Sequence, residues 1–171
     1  MATTSLPRLG TVLLPPVPDA EFRHFMRHWP TGVAIVTTAG EHGPVGCTVN
    51  ALMSLSVEPP LLLVSLCVQS RTLEAVRHVD LFGASVLAAD QAELSDRFAR
   101  CAPAERFRDL SLRVEHGVPL IAGAAAQAVC TVRETMRCAD HVLVVGAPIW
   151  QAVDPERGPL LLHRGVHRPV T

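Results

Sequence analysis

The sequence contains no lysine and no tyrosine among its 171 residues, and all 15 of its basic residues are arginines. Without a lysine amine, a P-loop nucleotide site, a Schiff-base enzyme and a lysine general base are excluded. The absence of tyrosine removes the phenol as a proton donor. No Gly-x-Gly-x-x-Gly or Gly-x-Ser-x-Gly motif occurs. A Rossmann dinucleotide site and an α/β-hydrolase site therefore have no support.

Charge is also scarce, since charged residues make up 18% of the chain and the formal net charge is −1. Without a basic block, the chain has no feature that would bind nucleic acid or an anionic membrane surface. Residues 61–68 form the longest apolar run, far below the roughly 20 residues of a membrane helix. The five cysteines form no Cys-x-x-Cys pair and no zinc spacing, so we predict no metal and a reducing, cytoplasmic location.

The hydrophobic pattern and the positions of turn residues predict one mainly β domain over residues 19–171, preceded by a flexible, proline-rich tail over residues 1–18. Short apolar or alternating segments bounded by turn residues predict strands at 33–38, 44–50, 61–68, 81–87, 127–137, 141–150 and 160–164. Because the strands do not alternate with long helices, we expect an antiparallel sheet closed into a barrel, with a few short flanking helices.

Three short helices are predicted from capping and periodicity. Asp19 is a candidate N-cap for a helix with Phe22, Phe25, Met26 and Trp29 on one face. Ser70 is a candidate cap for a second helix. Asp90-Gln91-Ala92-Glu93 has the form of a capping box, which predicts a third helix.

Two segments carry polar groups suited to ligand binding. Residues 46–60 place hydroxyl and amide side chains at the end of an apolar strand, where they could bind a flat heteroaromatic ring or a phosphate. The alternative is that Asn50 and the serines only satisfy their own turn. Ser70-Arg71-Thr72 opens a helix, where amide donors and a guanidinium favour an anion. A simple cap with a solvated Arg71 is the alternative.

Histidines provide two further candidates. His141 follows Asp140 at the start of a strand and is a candidate acid or hydrogen-bond donor. Neighbouring residues on a strand point to opposite faces, so we do not expect these two side chains to pair. His24 and His28 have the i, i+4 spacing of metal ligands, but their place opposite the apolar helix face predicts solvated side chains.

In its ordered motifs the sequence resembles the short-chain flavin reductase family, whose members have an antiparallel split-barrel flavin-binding fold. The resemblance covers about residues 20–168 and rests on the order of the segments rather than on any single one. They include Trp29-Pro30-Thr31-Gly32-Val33, residues 46–60, Ser70-Arg71-Thr72, Phe82-Gly83-Ala84-Ser85, Glu105-Arg106-Phe107, Gly117-Val118-Pro119-Leu120 and Asp140-His141.

The resemblance implies an NAD(P)H:flavin oxidoreductase that passes hydride from the nicotinamide C4 to N5 of FMN or FAD. It implies a homodimer and, as a partner, a monooxygenase that consumes the reduced flavin. It places His141 on the nicotinamide side as the catalytic residue. Thr48 and Asn50 would line the flavin ring, with backbone contacts from Cys47 and Val49, and the phosphate would contact Ser54, Ser56, Ser70, Arg71 and Thr72. Thr31, Leu55, Phe98 and Phe107 would complete the cofactor site.

Two positions depart from the family pattern. Ala139 stands where a glycine is usual, and His167 stands where a tyrosine is common. Both lie on the expected nicotinamide side. Two alternatives therefore stay open: an enzyme that uses the flavin cleft on an organic metabolite, and a flavin-binding module without catalysis.

Overall fold

The protein is described by a computed structural model that covers residues 15–170. Of the predicted tail, residues 1–14 lie outside this range, and residues 15–18 have no regular structure. No helix in the described range is long and apolar enough to cross a membrane.

A seven-stranded antiparallel sheet forms the body of the protein. Its strands run in the order β3-β2-β6-β9-β10-β5-β4. The two longest, β9 and β10, form a hairpin of 13 residues on each side. The strand bounds are β2 (Ala34–Gly40), β3 (Gly43–Val49), β4 (Leu52–Val57), β5 (Pro60–Cys67), β6 (Leu81–Val86), β9 (Ala126–Cys138) and β10 (His141–Val153).

Two smaller sheets and four helices complete the described fold. A three-stranded sheet joins the short β1 to the C-terminal hairpin in the order β1-β11-β12, and β7 pairs with β8. Their bounds are β1 (Thr31–Gly32), β7 (Leu112–Glu115), β8 (Val118–Ile121), β11 (Leu160–His163) and β12 (Val166–Pro169). The helices are α1 (Asp19–Met26), α2 (Arg71–Val79), α3 (Ala92–Arg100) and α4 (Pro103–Arg106).

The core has two main clusters because alternate residues of β2 point to opposite faces of the sheet. Ala34 and Val36 pack with α2, β5 and β10 in one cluster. Ile35 belongs to the other cluster, with Phe98 of α3 and residues of β8 and β11. The sheet thus separates an α2 side from an α3 side, and this division organises the candidate site.

The mainly β, antiparallel architecture with short helices is confirmed, but several local expectations are wrong. Five strands, β1, β4, β7, β8 and β12, were not predicted. The capping box is absent because the carboxylate of Asp90 binds Arg157, 2.6 Å away, and Gln91 precedes α3 without a side-chain cap. Asp19 is the first residue of α1 rather than its cap.

The apolar face of α1 is exposed. No residue of α1 is buried, and Phe25 and Trp29 are 69% and 66% exposed. Each of these side chains offers a large apolar area to another surface.

Candidate functional site

The turn between β9 and β10 brings Asp140 and His141 together. Asp140 lies in a two-residue loop, so strand alternation does not apply to it, and its Oδ1 lies 2.9 Å from His141 Nδ1. The expectation that the two side chains would not pair is therefore wrong. This hydrogen bond holds the pKa of the Asp140 carboxyl below its usual value. Because Nδ1 is engaged, the Nε2 atom of His141 is left for a ligand.

Ala139, the first loop residue, has φ 53°. A positive φ at the first of two loop residues is the place where a type II′ hairpin takes glycine. The family glycine therefore has a conformational reason at this position. Alanine adopts the same backbone at a cost of about 1–2 kcal/mol.

Strand register places His141 between two cysteines. His141 is directly opposite Cys67 on β5 and opposite Cys138 on β9. Directly opposed residues share one face of a sheet, so the three side chains form a row. Cys67 and Cys138 are both exposed. Sequence reasoning missed Cys67 because only the pairing of β5 with β10 brings it beside His141.

A backbone hydrogen bond connects Cys67 to the start of α2. The Ser70 N–H donates to the Cys67 carbonyl at 2.9 Å, which fixes the helix start beside β5. The predicted cap is confirmed, since the Ser70 hydroxyl accepts the N–H groups of Thr72 at 3.2 Å and Leu73 at 3.4 Å. These two amides are already bonded, so an anion here would bind the exposed Arg71 and the Ser70 hydroxyl proton.

Cys47 lies against this helix start, on the α2 side of β3. Burial raises the pKa of its thiol, while the Thr72 and Ser70 side chains and the Arg106 charge act in the opposite direction. The net shift is upward, which keeps the sulfur protonated and makes it a poor nucleophile. Val49, two residues on, is buried in the same cluster. Counted from the Gly40–Gly43 pair that closes the hairpin, both residues lie in hydrogen-bonded pairs with β2, so their backbone groups face β2 rather than the open edge of β3.

Thr48 points to the other side of β3, towards α3. Its hydroxyl donates to the Ser95 carbonyl at 2.7 Å. Asn50 is exposed just beyond the strand. β3 is an edge of the seven-stranded sheet, so alternate backbone N–H and C=O groups face outward without a strand partner in the described chain. An edge with alternating donors and acceptors is chemically suited to the N3–H and carbonyl groups of a flavin ring.

Ser54, Leu55 and Ser56 lie on β4, the opposite edge of the same sheet. A register shift at Leu55 puts Ser54 opposite Leu62 and Ser56 opposite Leu61. At about 3.3 Å per residue, these rows lie roughly 17–20 Å along β5 from Cys67. Ser54 and Ser56 thus pair with a different stretch of β5 from the one that leads into α2. They remain a separate candidate position.

Phe98 and Phe107 form an edge-to-face pair beside β3, with ring centroids 4.8 Å apart. Phe98 is fully buried, so it cannot border a cofactor directly and acts through Phe107, which is half-buried. Phe107 reaches Gly46, where an added Cβ would lie 3.2 Å from its ring and 2.9 Å from Thr37. Gly46 thus allows α4 and β3 to approach closely.

Arg106 ties α4 to the same strand. Its Nη1 donates to the Gly46 carbonyl at 2.7 Å, and its Nε donates to the Cys101 carbonyl at 3.1 Å. Arg106 belongs to the Glu105-Arg106-Phe107 motif, but no role for it was predicted from the sequence. The signal could not be found locally, because Gly46 lies 60 positions away in the sequence.

The small C-terminal sheet carries Thr31 and His167. Thr31 is opposite Leu162, which is opposite His167, so the two side chains lie on one face with Leu162 between them. Thr31 Oγ1 is buried and has no hydrogen-bond partner. An orphaned hydroxyl of this kind fits a site completed by a bound group. His167 Nε2 lies 3.0 Å from the Ser95 hydroxyl.

The described residues contain no group of three or more His, Cys, Asp and Glu side chains arranged to hold a metal. His28 Nδ1 is instead 3.0 Å from the His24 carbonyl.

Comparison with known proteins gives one consistent result. The flavin reductase like domain matches residues 26–171. The reductase component of a 4-nitrophenol 4-monooxygenase/4-nitrocatechol 2-monooxygenase from Rhodococcus opacus is 34% identical over 90% of this chain and 82% of that protein. The FMN reductase (NADH) SmoA of Agrobacterium fabrum is 36% identical over 84% of this chain and 82% of its own.

Solved structures agree. The NADH:FAD oxidoreductase SgcE6 of Streptomyces globisporus, in a complex with NAD and FAD fragments, has a TM-score of 0.85 and 29% identity, and the match covers 93% of this chain and 96% of that one. The split-barrel expectation is thereby confirmed. The extent of the family match and the identity to these relatives show that the chain belongs to the flavin reductase family.

Proposed function

We propose that this flavin reductase transfers hydride from NADH to a flavin bound between the outer edge of β3, the start of α2 and the β9–β10 turn. The observation that carries the proposal is the strand register, which sets His141 beside Cys67 and hence beside the capped start of α2. Groups suited to a nicotinamide and groups suited to a phosphate thereby lie close together in the fold.

Each part of the flavin has partners of matching chemistry. The outward-facing backbone of Thr48, with its hydroxyl and the side chain of Asn50, offers donors and acceptors to the ring edge. Arg71 and the Ser70 hydroxyl offer a positive charge and a donor to the phosphate. Thr31, with its unpartnered hydroxyl, and Phe107 border the cleft on the α3 side. When bound, the flavin supplies the hydride acceptor, so the protein itself needs no nucleophile.

His141 is the proposed catalytic residue. Asp140 fixes the imidazole through Nδ1 and leaves Nε2 to contact the nicotinamide. A ring that is held in this way aligns the donor with the acceptor at little entropic cost. Its side chain is 45% exposed, which leaves room for a ligand to cover it.

NADH is the proposed donor, and FMN or FAD the proposed flavin. The names of the relatives support NADH, and they include both an FMN reductase and an NADH:FAD oxidoreductase. Arg71 suits the phosphate that both flavins carry. We propose that the reduced flavin passes to a separate monooxygenase, on the precedent of the Rhodococcus opacus reductase component. Five free thiols support a cytoplasmic location.

We also propose a homodimer. The face of α1 formed by Phe22, Phe25, Met26 and Trp29 is an exposed apolar surface, which a second copy would cover. Phe25→Glu should convert a dimer into a monomer in sedimentation velocity. His24→Glu, on the opposite face of the helix, should leave the dimer intact. A wild-type protein that sediments as a monomer contradicts the proposal.

The proposed catalysis is tested by mixing NADH anaerobically with the flavin-loaded protein and following the loss of the visible flavin absorbance. His141→Ala should slow the loss by about tenfold or more, since hydrogen bonds to reacting groups contribute roughly 1.5–3 kcal/mol. His78→Ala, on the exposed end of α2, is the matched control and should behave as wild type. An unchanged rate in His141→Ala would remove the catalytic assignment.

A further inference from the structure

His167, on the C-terminal strand β12, is linked by two hydrogen bonds to the proposed flavin strand. Its Nε2 lies 3.0 Å from the Ser95 hydroxyl on α3. The carbonyl of the same serine accepts the Thr48 hydroxyl at 2.7 Å. Ser95 is only 4% exposed, and the His167 side chain is 20% exposed. A single buried serine therefore joins the C-terminal strand to Thr48 on β3.

The direction of each hydrogen bond follows from the charges around the imidazole. The Asp96 carboxylate on α3 lies 4.0 Å from His167 Nδ1, and Arg100 pairs with the other oxygen of Asp96 at 3.4 Å. A carboxylate on that side favours the proton on Nδ1. Nε2 then accepts from the Ser95 O–H.

Ser, His and Asp side chains in this order invite comparison with a catalytic triad, but the geometry does not support one. The 4.0 Å separation of Asp96 from His167 is too long for a hydrogen bond. The Ser95 hydroxyl is buried in the helix interface, where no substrate carbonyl can reach it. The arrangement can position groups but cannot supply an accessible nucleophile.

The direction of the hydrogen bond between Thr48 and Ser95 determines what Thr48 can offer a ligand. Since its proton is donated to the Ser95 carbonyl, Thr48 Oγ1 can only accept from a bound group. The donors on a flavin are ring N–H groups and ribityl hydroxyls. Thr48 therefore selects an N–H or O–H edge and disfavours a flavin carbonyl at this point.

We propose that His167 is a positioning residue of the flavin site, which holds Ser95 and thereby keeps Thr48 as a fixed acceptor towards the flavin. This inference rests on the proposed function, because it takes the flavin to be bound beside Thr48. His167, which stands where a tyrosine is common, would thus act by positioning Ser95 and Thr48, separately from any contact with the nicotinamide.

The test measures the FMN dissociation constant and the visible spectrum of bound FMN. His167→Leu, which cannot bond Ser95, should weaken FMN binding about three- to tenfold and shift the bound-flavin spectrum. His167→Gln, whose amide can still bond the hydroxyl, should restore both. Ser95→Ala should match His167→Leu, and the double variant should be no weaker than either single variant.

Val166→Ala is the control, because its exposed side chain lies next to His167 but on the other face of β12. It should leave both readouts unchanged. Normal FMN binding and a normal bound-flavin spectrum in folded His167→Leu overturn the inference, as do losses that Gln does not rescue or that add in the double variant. A wild-type protein that binds no flavin instead overturns the proposed function on which the inference rests.

Discussion

Arg106 offers the sharpest test of how the site is built. Its guanidinium bridges the Gly46 and Cys101 carbonyls from a half-buried position, so that α4 is fastened to β3. Hydrogen bonds from a charged donor contribute about 1.5–3 kcal/mol each, and partial solvent exposure lowers that figure. Arg106→Ala should therefore reduce the free energy of unfolding by about 2–4 kcal/mol.

Urea unfolding followed by circular dichroism measures the loss, with Arg100→Ala as the matched control. Arg100 pairs with Asp96 on the same exposed helix face, and its side chain is 79% exposed. Its removal should cost about 0–0.5 kcal/mol. Arg106→Lys should be intermediate, because an ammonium cannot reproduce the guanidinium fork. Equal losses in Arg106→Ala and Arg100→Ala would refute the claim that Arg106 anchors the strand.

Three further outcomes are expected. Arg71→Ala should weaken FMN binding about tenfold or more while leaving riboflavin binding unchanged, and Arg77→Ala, at the other end of α2, should alter neither; an equal effect on riboflavin would contradict the phosphate contact. Ala139→Gly should raise the free energy of unfolding in urea by about 0.5–1 kcal/mol. Glycine removes the backbone strain at φ 53°, and this gain exceeds the entropic cost of the more flexible unfolded chain. Burial raises the pKa of Cys130 to about 12. Iodoacetamide at pH about 8 should therefore label the exposed Cys67 in the folded protein and reach Cys130 only after unfolding, as measured by mass spectrometry. Equal labelling of both thiols in the folded state would count against the packed core.

Local chemistry explains which elements could be predicted from the sequence. The Ser70 cap of α2 depends on neighbours within one helix turn, and it is confirmed. β4 was not predicted because its residues mix polar and apolar side chains at a sheet edge, where the burial that produces alternation is missing.

The site shows the same division. The Ser70 cap depends on adjacent residues, whereas the contact of Cys67 with His141 needs the pairing of β5 with β10, 74 positions apart. The capping-box prediction failed for the same reason, because the partner of Asp90 is Arg157, 67 positions away. The role of Ser95 likewise depends on two strands that are distant in the sequence. Long-range pairing leaves no local signal, so a single sequence can suggest candidate residues but not the contacts between them.

The most direct test of the central claim is the rate of NADH oxidation by the purified protein, followed at the nicotinamide absorbance with FMN, with FAD and with no added flavin. We expect turnover that rises and saturates with added flavin, or turnover without addition from a preparation that retains its flavin. A protein that accelerates NADH oxidation in none of these mixtures would contradict it.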